Sequence, residues 1–311
     1  MADVPTLSLA NYIDGDAASR AAFSEDLMHG LQRYGFFILK DHPISAAVLD
    51  KAYDLSAAFF AQPESEKLKY RGGQRGYTPF GVEHAKNTQA VDLKEFWQIG
   101  PERAANTKDY GEISPPNLWP AYPPEFKETF IDLFNGLQRT GEIILEALAP
   151  HLGLNKSYFT PLVADGNSVL RLLHYPPTPP KPEGVRAEAH EDINVITLLL
   201  GAEEAGLQLL TAEGEWLDVD PPQGALVVNV GDMLQRLTNH RLRSTTHRVV
   251  NPASGAEDVV RYSMPFFVHP YPECMLRIFD QCVTPENPKR YPDITADDFL
   301  KQRLREIGLI K

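Results

Sequence analysis

The chain has 311 residues, of which 43% are hydrophobic and 23% charged, an ordinary composition for one large globular domain or two small ones. Its formal net charge of −12 repels phosphate backbones and so argues against a nucleic-acid partner. A local basic patch, for example around Arg241, Arg243 and Arg248, can still exist on a chain of this net charge. The two cysteines, Cys274 and Cys282, are too few for a disulfide framework or a thiolate metal site.

The amino-terminal residues lack the basic and apolar regions of a secretory signal, and no run of eighteen apolar residues occurs in the sequence. We therefore expect a soluble, cytoplasmic protein without a membrane partner. The sequence does not indicate an oligomeric state.

The first half of the chain predicts mainly helices. A first apolar face at helical spacing ends at Gly35, and an apolar run over 36–39 follows as a short strand. Ser45 can cap a second helix, and a third, the longest, begins near Pro123 and ends at Pro150. The residues of the three faces are Phe23, Leu27, Leu31 and Tyr34; Leu49, Ala52, Tyr53, Phe59 and Phe60; and Phe126, Phe130, Leu133, Leu137, Ile144 and Leu148.

From Ser168 onward the sequence predicts short strands separated by turns rich in proline and glycine, such as PPTPPKPEG, PPQG and NPASG. Strands at this spacing favour a barrel or a jelly roll, and thus an α+β chain with a mainly β core. A last helix follows Thr295 and runs to Gly308. The predicted strands are 169–175, 195–200, 207–210, 225–230, 245–250 and 259–268.

A candidate metal site begins with His190 and Asp192, which lie two residues apart and point to the same face of an extended backbone. A lone pair of this kind also occurs as a polar strand end, so a third ligand is needed. His247, in the strand-like stretch TTHRVV, fits better than His240 in a polar turn or His174 before two prolines. Two histidines and one carboxylate leave positions open on iron, which is typical of non-haem iron(II) oxygenases.

A candidate carboxylate site follows, because Arg261 and Ser263 face the same side of one predicted strand. A planar guanidinium and a hydroxyl suit a carboxylate such as the distal one of 2-oxoglutarate. The alternative is an exposed arginine, but Arg261 heads the apolar run SMPFFV, where a charge needs a partner. Tyr175 can add a phenol hydroxyl; its alternative is a core aromatic.

An ordered set of motifs resembles the isopenicillin-N-synthase-like dioxygenases. From about 170 to 270 they are LRLLHYPP, HED followed by INVITLLL, GEWLDVDPPQGALVVNVGDMLQRLTN, STTHRVVNP and RYSMPFF. The stretches GFFILKDHPI, RGYTPFG and DLKEFWQIG are similar to that family's helical amino-terminal domain. The resemblance covers nearly the whole chain.

The resemblance implies a double-stranded β-helix (jelly roll) flanked by helices, with a helical amino-terminal region. It places an amino-terminal dioxygenase domain at 1–110, supporting helices at 111–165, the jelly roll at 166–270, and a carboxy-terminal strand and helix at 271–311. It implies that His190, Asp192 and His247 are the Fe(II) ligands. It also implies that Arg261, Ser263 and Tyr175 bind 2-oxoglutarate.

The activity implied is oxidation of a C–H bond of a small molecule with O2 and 2-oxoglutarate, releasing succinate and CO2, with no catalytic residue beyond the metal centre. Oxidases of the same family that use no 2-oxoglutarate, and an ethylene-forming enzyme, remain alternatives. A zinc hydrolase is a further alternative, but it does not explain the Arg-x-Ser pair. A non-catalytic metal-binding protein is another, but such proteins usually lack a ligand or the arginine, and His190, Asp192, His247, Arg261 and Ser263 are all present here. The family's Asn-Tyr-Tyr-Pro motif reads Leu173-His174-Tyr175-Pro176 here, which puts the asparagine's contact in doubt.

Substrate contacts are expected from strand parity. Phe267 and His269 share the face of Arg261, and Arg171 shares the face of Tyr175. Tyr77, in RGYTPFG, is a further candidate from the amino-terminal region. If Arg171 faces the pocket, we expect an anionic or amino-acid-like substrate; the alternative for all four candidates is packing or a surface salt bridge.

Overall fold

The protein is described by a computed structural model over residues 4–82, 93–103, 111–177, 186–201, 206–250 and 260–306. Within these residues no helix is both long and apolar enough to cross a membrane. The α-helices are α1 (Ala10–Ile13), α2 (Ala17–Tyr34), α3 (Ala46–Phe60), α4 (Glu64–Lys67), α5 (Phe126–Leu148), α6 (Thr160–Val163), α7 (Asp232–Leu237) and α8 (Ala296–Glu306).

The three helices predicted in the first half are α2, α3 and α5, and local signals set the ends of the first two. Gly35 ends α2 in the left-handed conformation with φ 70°, where a side chain would be strained. The Ser45 hydroxyl accepts a hydrogen bond from the Val48 backbone at the start of α3. The predicted last helix is α8, and the end expected for it at Gly308 lies outside the described residues.

The strands form one sheet of eight, in the order β1-β2-β10-β7-β12-β5-β4-β3, one of four, in the order β6-β11-β8-β9, and a β13-β14 pair. Their bounds are β1 (Thr6–Ser8), β2 (Phe36–Lys40), β3 (Gly76–Thr78), β4 (Glu95–Ile99), β5 (Val169–Tyr175), β6 (Ala187–His190), β7 (Ile196–Leu200), β8 (Leu207–Leu210), β9 (Trp216–Asp218), β10 (Leu226–Val230), β11 (His247–Val249), β12 (Arg261–Val268), β13 (Met275–Leu276) and β14 (Ile294–Thr295).

The six strands predicted in the second half are present, with β11 shorter than expected. The first half holds three strands that the sequence analysis did not predict, β1, β3 and β4, and the second half also holds β6 and β9. These strands have three to five residues. Each of them mixes apolar with polar or charged residues, whereas predicted strands of similar length, such as β7 and β8, are nearly continuous apolar runs.

One face of the large sheet packs against helices. Alternate residues of β12, among them Phe266 and Val268, point toward α5. The Phe134 and Phe266 rings meet edge to face with centroids 4.9 Å apart. Gly141 of α5 permits close approach, since a Cβ built there would lie 3.0 Å from Val268 Cγ2. The helices therefore exclude water from this face of the sheet, and the opposite face remains available to other residues.

The opposite face of the large sheet meets the small sheet. A second apolar cluster joins them: Phe36 and Ile38 of β2 and Val227 of β10 pack with Leu207 and Leu209 of β8. The two sheets therefore face each other over part of their length, as in a jelly roll, and enclose a space over the rest.

Strands from the amino-terminal part cover both edges of the large sheet. Next to β10 lie β2 and then β1, and next to β5 lie β4 and then β3. The domain boundaries predicted after residues 110 and 165 remain a prediction. Strands from both sides of these boundaries hydrogen-bond within one sheet.

A buried ionic cluster joins the amino-terminal part to β5. Lys67 Nζ lies 2.9 and 2.7 Å from the two carboxylate oxygens of Glu95, and the side chains are 9% and 7% exposed. The Tyr77 hydroxyl and the His174 Nδ1–H (2.7 Å) also donate to Glu95. Burial alone would raise the pKa of Glu95, but these hydrogen bonds from His174, Lys67 and Tyr77 lower it. Glu95 is therefore an anion at neutral pH.

Replacing Lys67 by methionine should lower the free energy of unfolding by about 3 kcal/mol or more, because it leaves the buried Glu95 charge without its cation. Lys69→Met is the matched control, since Lys69 pairs with Glu66 at the surface and exposed pairs contribute less than about 1 kcal/mol. Urea unfolding of both variants measures the difference. Equal stability of the two would show that the buried pair does not stabilise the fold.

Candidate metal centre

A cavity of about 90 Å³ lies between the two sheets. Alternate residues of β5, β7, β10 and β12 in the large sheet point into the cavity, and β6 and β11 of the small sheet supply further side chains. The described residues that line it are Phe36, Lys94, Arg171, Leu173, Tyr175, Ala187, His190, Asp192, Thr197, Leu199, Leu207, Asn229, His247, Val249, Arg261, Ser263, Pro265 and Phe267.

His190, Asp192 and His247 meet in this cavity. His190 and His247 are cross-strand partners on β6 and β11, and one ligand atom from each of the three residues lies within 4.8 Å of the others. Each histidine Nε2 is 3.9 Å from a carboxylate oxygen of Asp192. The set fits a metal ion, because three ligands converge from one side and leave the other side open.

Backbone carbonyls orient both imidazoles. His190 Nδ1 lies 2.6 Å from the Glu188 carbonyl, and His247 Nδ1 lies 3.1 Å from the Thr245 carbonyl. A carbonyl only accepts, so each Nδ1 carries a proton, and each Nε2 faces Asp192.

The protonation states also suit a metal. Burial alone would raise the pKa of Asp192, but the neighbouring His247 and His190, with hydrogen bonds from Asn229 and Thr197, lower it. The surrounding protein partly desolvates the imidazole of His190, whose side chain is 46% exposed, and together with the adjacent His247 it lowers the pKa of this histidine. At neutral pH the cavity therefore presents a carboxylate and a neutral His190 imidazole.

Asp192 is held by two side chains that the sequence analysis did not single out. The Thr197 hydroxyl and the Asn229 amide donate to Oδ2 at 2.6 and 2.8 Å, and Asn194 donates to the Thr197 hydroxyl at 3.0 Å. Oδ2 is thus occupied, and Oδ1, on the His190 side, remains for a metal. The signal in the sequence was a polar residue in the middle of each apolar strand, in VITLLL and LVVNV.

The three residues expected to bind a carboxylate lie together on the large sheet. Arg261 pairs with Tyr175 across β12 and β5, and its guanidinium carbon is 6.0 Å from the Tyr175 ring centroid. Arg261, Ser263 and Tyr175 are all buried. A further buried arginine, Arg186, lies at the same distance from that ring, and sequence reasoning missed it.

Two of the four expected substrate contacts line the cavity. The Arg171 guanidinium lies 4.3 Å from the Phe96 ring centroid and 5.7 Å from that of Phe267, and it donates to Gln98 Oε1 at 3.0 Å. Lys94, also absent from the sequence analysis, adds a second cation to this wall.

The other two expected contacts do not line the cavity. Tyr77 pairs with Trp97 on β3 and β4, and both point to the helical side, where Tyr77 is in the core. His269 follows the last residue of β12, so strand parity no longer applies, and it lines a separate small cavity with Asn167. Their positions do not support the expected substrate contacts.

The fold and the three convergent ligands define the class: a jelly-roll protein with the metal site of a non-haem iron oxygenase. Family models agree. One described as the 2OG-Fe(II) oxygenase superfamily matches 166–270, and one described as the N-terminal region of non-haem dioxygenase in morphine synthesis matches 4–122. The chain belongs to the 2OG-Fe(II) oxygenase superfamily.

Individual relatives point the same way. The chain is 35% identical to the 2-oxoglutarate-Fe(II) type oxidoreductase hxnY of Emericella nidulans, over 96% of this chain and 88% of that protein. A crystal structure from Caulobacter crescentus, assigned to the 2OG-Fe(II) oxygenase family, is 48% identical, with a TM-score of 0.90 over 99% of this chain and 100% of that one. A full-length Neurospora crassa protein, crystallised in complex with alpha-KG and thymine, is 30% identical, with a TM-score of 0.86 over 97% of this chain and 96% of that one.

These comparisons confirm the predicted jelly roll and the predicted class of enzyme, a 2-oxoglutarate-dependent dioxygenase. They also confirm Fe(II) and 2-oxoglutarate as its cofactor and cosubstrate. The chain therefore acts as an oxidoreductase on a small molecule.

Thr197→Val should weaken Fe(II) binding by about 10- to 100-fold, because Asp192 Oδ2 loses a hydrogen bond that orients the carboxylate. Thr140→Val is the matched control: it removes an equally buried hydroxyl, bonded to the Gly136 carbonyl in α5. Anaerobic equilibrium dialysis measures the affinity of each variant. If both variants bind iron like the wild type, the hydroxyl has no positioning role.

Proposed function

We propose that His190, Asp192 and His247 bind the Fe(II) of this oxygenase, with Asp192 using Oδ1. The observation that carries the proposal is the convergence of their ligand atoms within 4.8 Å at the cavity wall. When bound, the iron supplies the activation of O2 with 2-oxoglutarate that oxidises a C–H bond. The protein holds the ligands, orients both small molecules and limits access of water.

Arg261, Ser263 and Tyr175 are the proposed partners of the distal carboxylate of 2-oxoglutarate. A buried guanidinium next to a hydroxyl and a phenol supplies charge-assisted hydrogen bonds to such a group. These residues lie on β5 and β12 of the large sheet, and His190 and His247 lie on the small sheet across the cavity, so a dicarboxylate can span the space between them.

Apolar side chains complete this part of the cavity. Leu173, at the place of the family's asparagine, lines the cavity and packs in a small apolar cluster with Phe96 and Tyr175. The contact that an asparagine would make is therefore replaced here by an apolar surface, which strengthens nearby electrostatic interactions by excluding water.

The substrate is proposed to be a small anion. Lys94, Arg171 and Arg261 line the cavity, and Arg261 is already assigned to the cosubstrate. Lys94 and Arg171 can bind a carboxylate or similar group of the substrate through charge-assisted hydrogen bonds. Asp192 is the only acid among the described lining residues and faces the metal, so a free amino group on the substrate gains no partner there.

The rings beside Arg171 favour a flat substrate. Phe267 lines the cavity, and a planar group can stack on an aromatic ring while an edge of it meets the guanidinium. Thymine, bound in the relative from Neurospora crassa, is also small and flat. An aromatic or heteroaromatic carboxylate combines both properties.

Asp192→Ala should abolish the visible absorption that Fe(II) and 2-oxoglutarate produce together under anaerobic conditions, because the chelate is not formed without its carboxylate ligand. Arg261→Gln should keep the absorption but require at least about 30-fold more 2-oxoglutarate, as expected for loss of about 2 kcal/mol from a buried charge pair.

Arg139→Gln, on the exposed surface of α5, is the control for the loss of one positive charge. It should need the same concentration of 2-oxoglutarate as the wild type. If Asp192→Ala retains the absorption, the assigned metal ligand is wrong. If Arg261→Gln has unchanged affinity for 2-oxoglutarate, the cosubstrate is bound elsewhere.

Arg171→Gln should remove the preference of the enzyme for anionic substrates. Aromatic carboxylates and their neutral amides, added to the anaerobic complex, report binding through the shift of its absorption. The wild type should bind a carboxylate at least about tenfold better than its amide, or about 1.4 kcal/mol, and the variant should not discriminate. Equal discrimination by both proteins would contradict the anionic substrate and leave the enzyme class intact.

A further inference from the structure

A second, larger cavity of about 540 Å³ lies outside the site described above and shares no lining residue with it. It is bounded by the end of α2, by α7 with the segment 240–246 that follows, and by α8. Glu191, between the two proposed metal ligands of the HED motif, turns its carboxylate to this side, where the Thr246 hydroxyl donates to it at 2.5 Å.

The wall of this second cavity is rich in arginine, although the whole chain carries a net charge of −12. The cationic residues are Arg33, Arg236, Arg243 and Arg303, and the acidic residues are Glu191, Asp232 and Glu306. Arg303 contacts all three acids, at 2.9 Å from Asp232, 2.7 Å from Glu306 and 3.9 Å from Glu191. Four cations face three anions, and one cation serves all three anions, so the surplus positive charge lies on the remaining arginines.

Arg236 is the deepest of these cations and is 7% exposed. Tyr291 and Phe299 hold its guanidinium, with ring centroids 4.6 and 5.3 Å away, and it donates to the Pro292 carbonyl at 2.6 Å. Its Nε has no hydrogen-bond partner among the described residues. Asp293 acts electrostatically on this charge, but Asp293 is itself paired with Arg277 and Lys289, so the buried guanidinium keeps an unused donor for a ligand.

We propose that this second cavity is a binding site for a small oxyanion with two or more negative charges. Arg236 would supply the buried charge, and Arg33 and Arg243, both exposed at the wall, would supply the outer ones. Phosphate groups and polycarboxylates share this chemistry, and arginine binds both through paired N–H donors. The volume exceeds that of one phosphate ion, so a larger molecule bearing such a group also fits.

The test uses isothermal titration of the metal-free full chain with inorganic phosphate and, separately, with citrate, at constant ionic strength. Metal-free protein is chosen because both anions chelate iron, and neither result depends on the proposed substrate. Saturable one-to-one binding of either anion is expected. Tighter binding of phosphate identifies a phosphoryl ligand, and tighter binding of citrate identifies a polycarboxylate.

The double variant Arg33→Gln and Arg243→Gln should weaken this binding at least about tenfold. The matched control, Arg20→Gln and Arg139→Gln, changes the net charge equally at exposed positions that do not line the cavity. Neither pair holds a buried acid, so both variants should fold. Absence of saturable binding to the wild type, or equal weakening in both variants, overturns the proposal.

Discussion

The period-two alternation of the large sheet is the constraint on which the rest of the molecule depends. Successive residues of β12 point to opposite faces, so Phe266 packs against α5 while Arg261 and Ser263 reach the cavity. The same alternation on β5, β7 and β10 places Tyr175, Thr197 and other polar groups on the cavity face. A shift of any of these strands by one residue would bury charges against helices and turn apolar side chains to the metal.

This constraint explains why much of the site was predictable from the sequence. Arg261 and Ser263 are two residues apart within β12, so their shared face is visible in the sequence. Asp192 lies two residues past the end of β6, so its convergence with His190 depends on the loop that follows this strand. Where the residues lie in regular strands, as for Arg171, the expectation of a cavity-facing side chain agrees with the structure. The class of enzyme followed from the order of motifs.

The remaining features depend on information that a single strand does not contain. Side chains alternate along β3 as they do in any strand, but the sequence of β3 does not show which face of the sheet Tyr77 occupies. Its pairing with Trp97 decides this. His269 lies one residue past the end of β12, where the alternation stops. Lys94 precedes β4, a strand whose mixed sequence EFWQI shows no clear strand pattern, so its approach to the cavity depends on the assembled sheet. The buried partners of Asp192 likewise come from two different strands.

The edge strands of the large sheet limit how this protein can be divided. The segment 166–270 contains the proposed metal and cosubstrate residues, yet both of its outer strands in the large sheet, β10 and β5, are paired with strands from the first hundred residues. Excised alone, that segment would expose two rows of unpaired backbone groups, which are templates for aggregation. It would also leave His174 without Glu95. The amino-terminal part is therefore an integral half of the sheet, and an ancestral or engineered chain could exchange it only for another pair of edge strands.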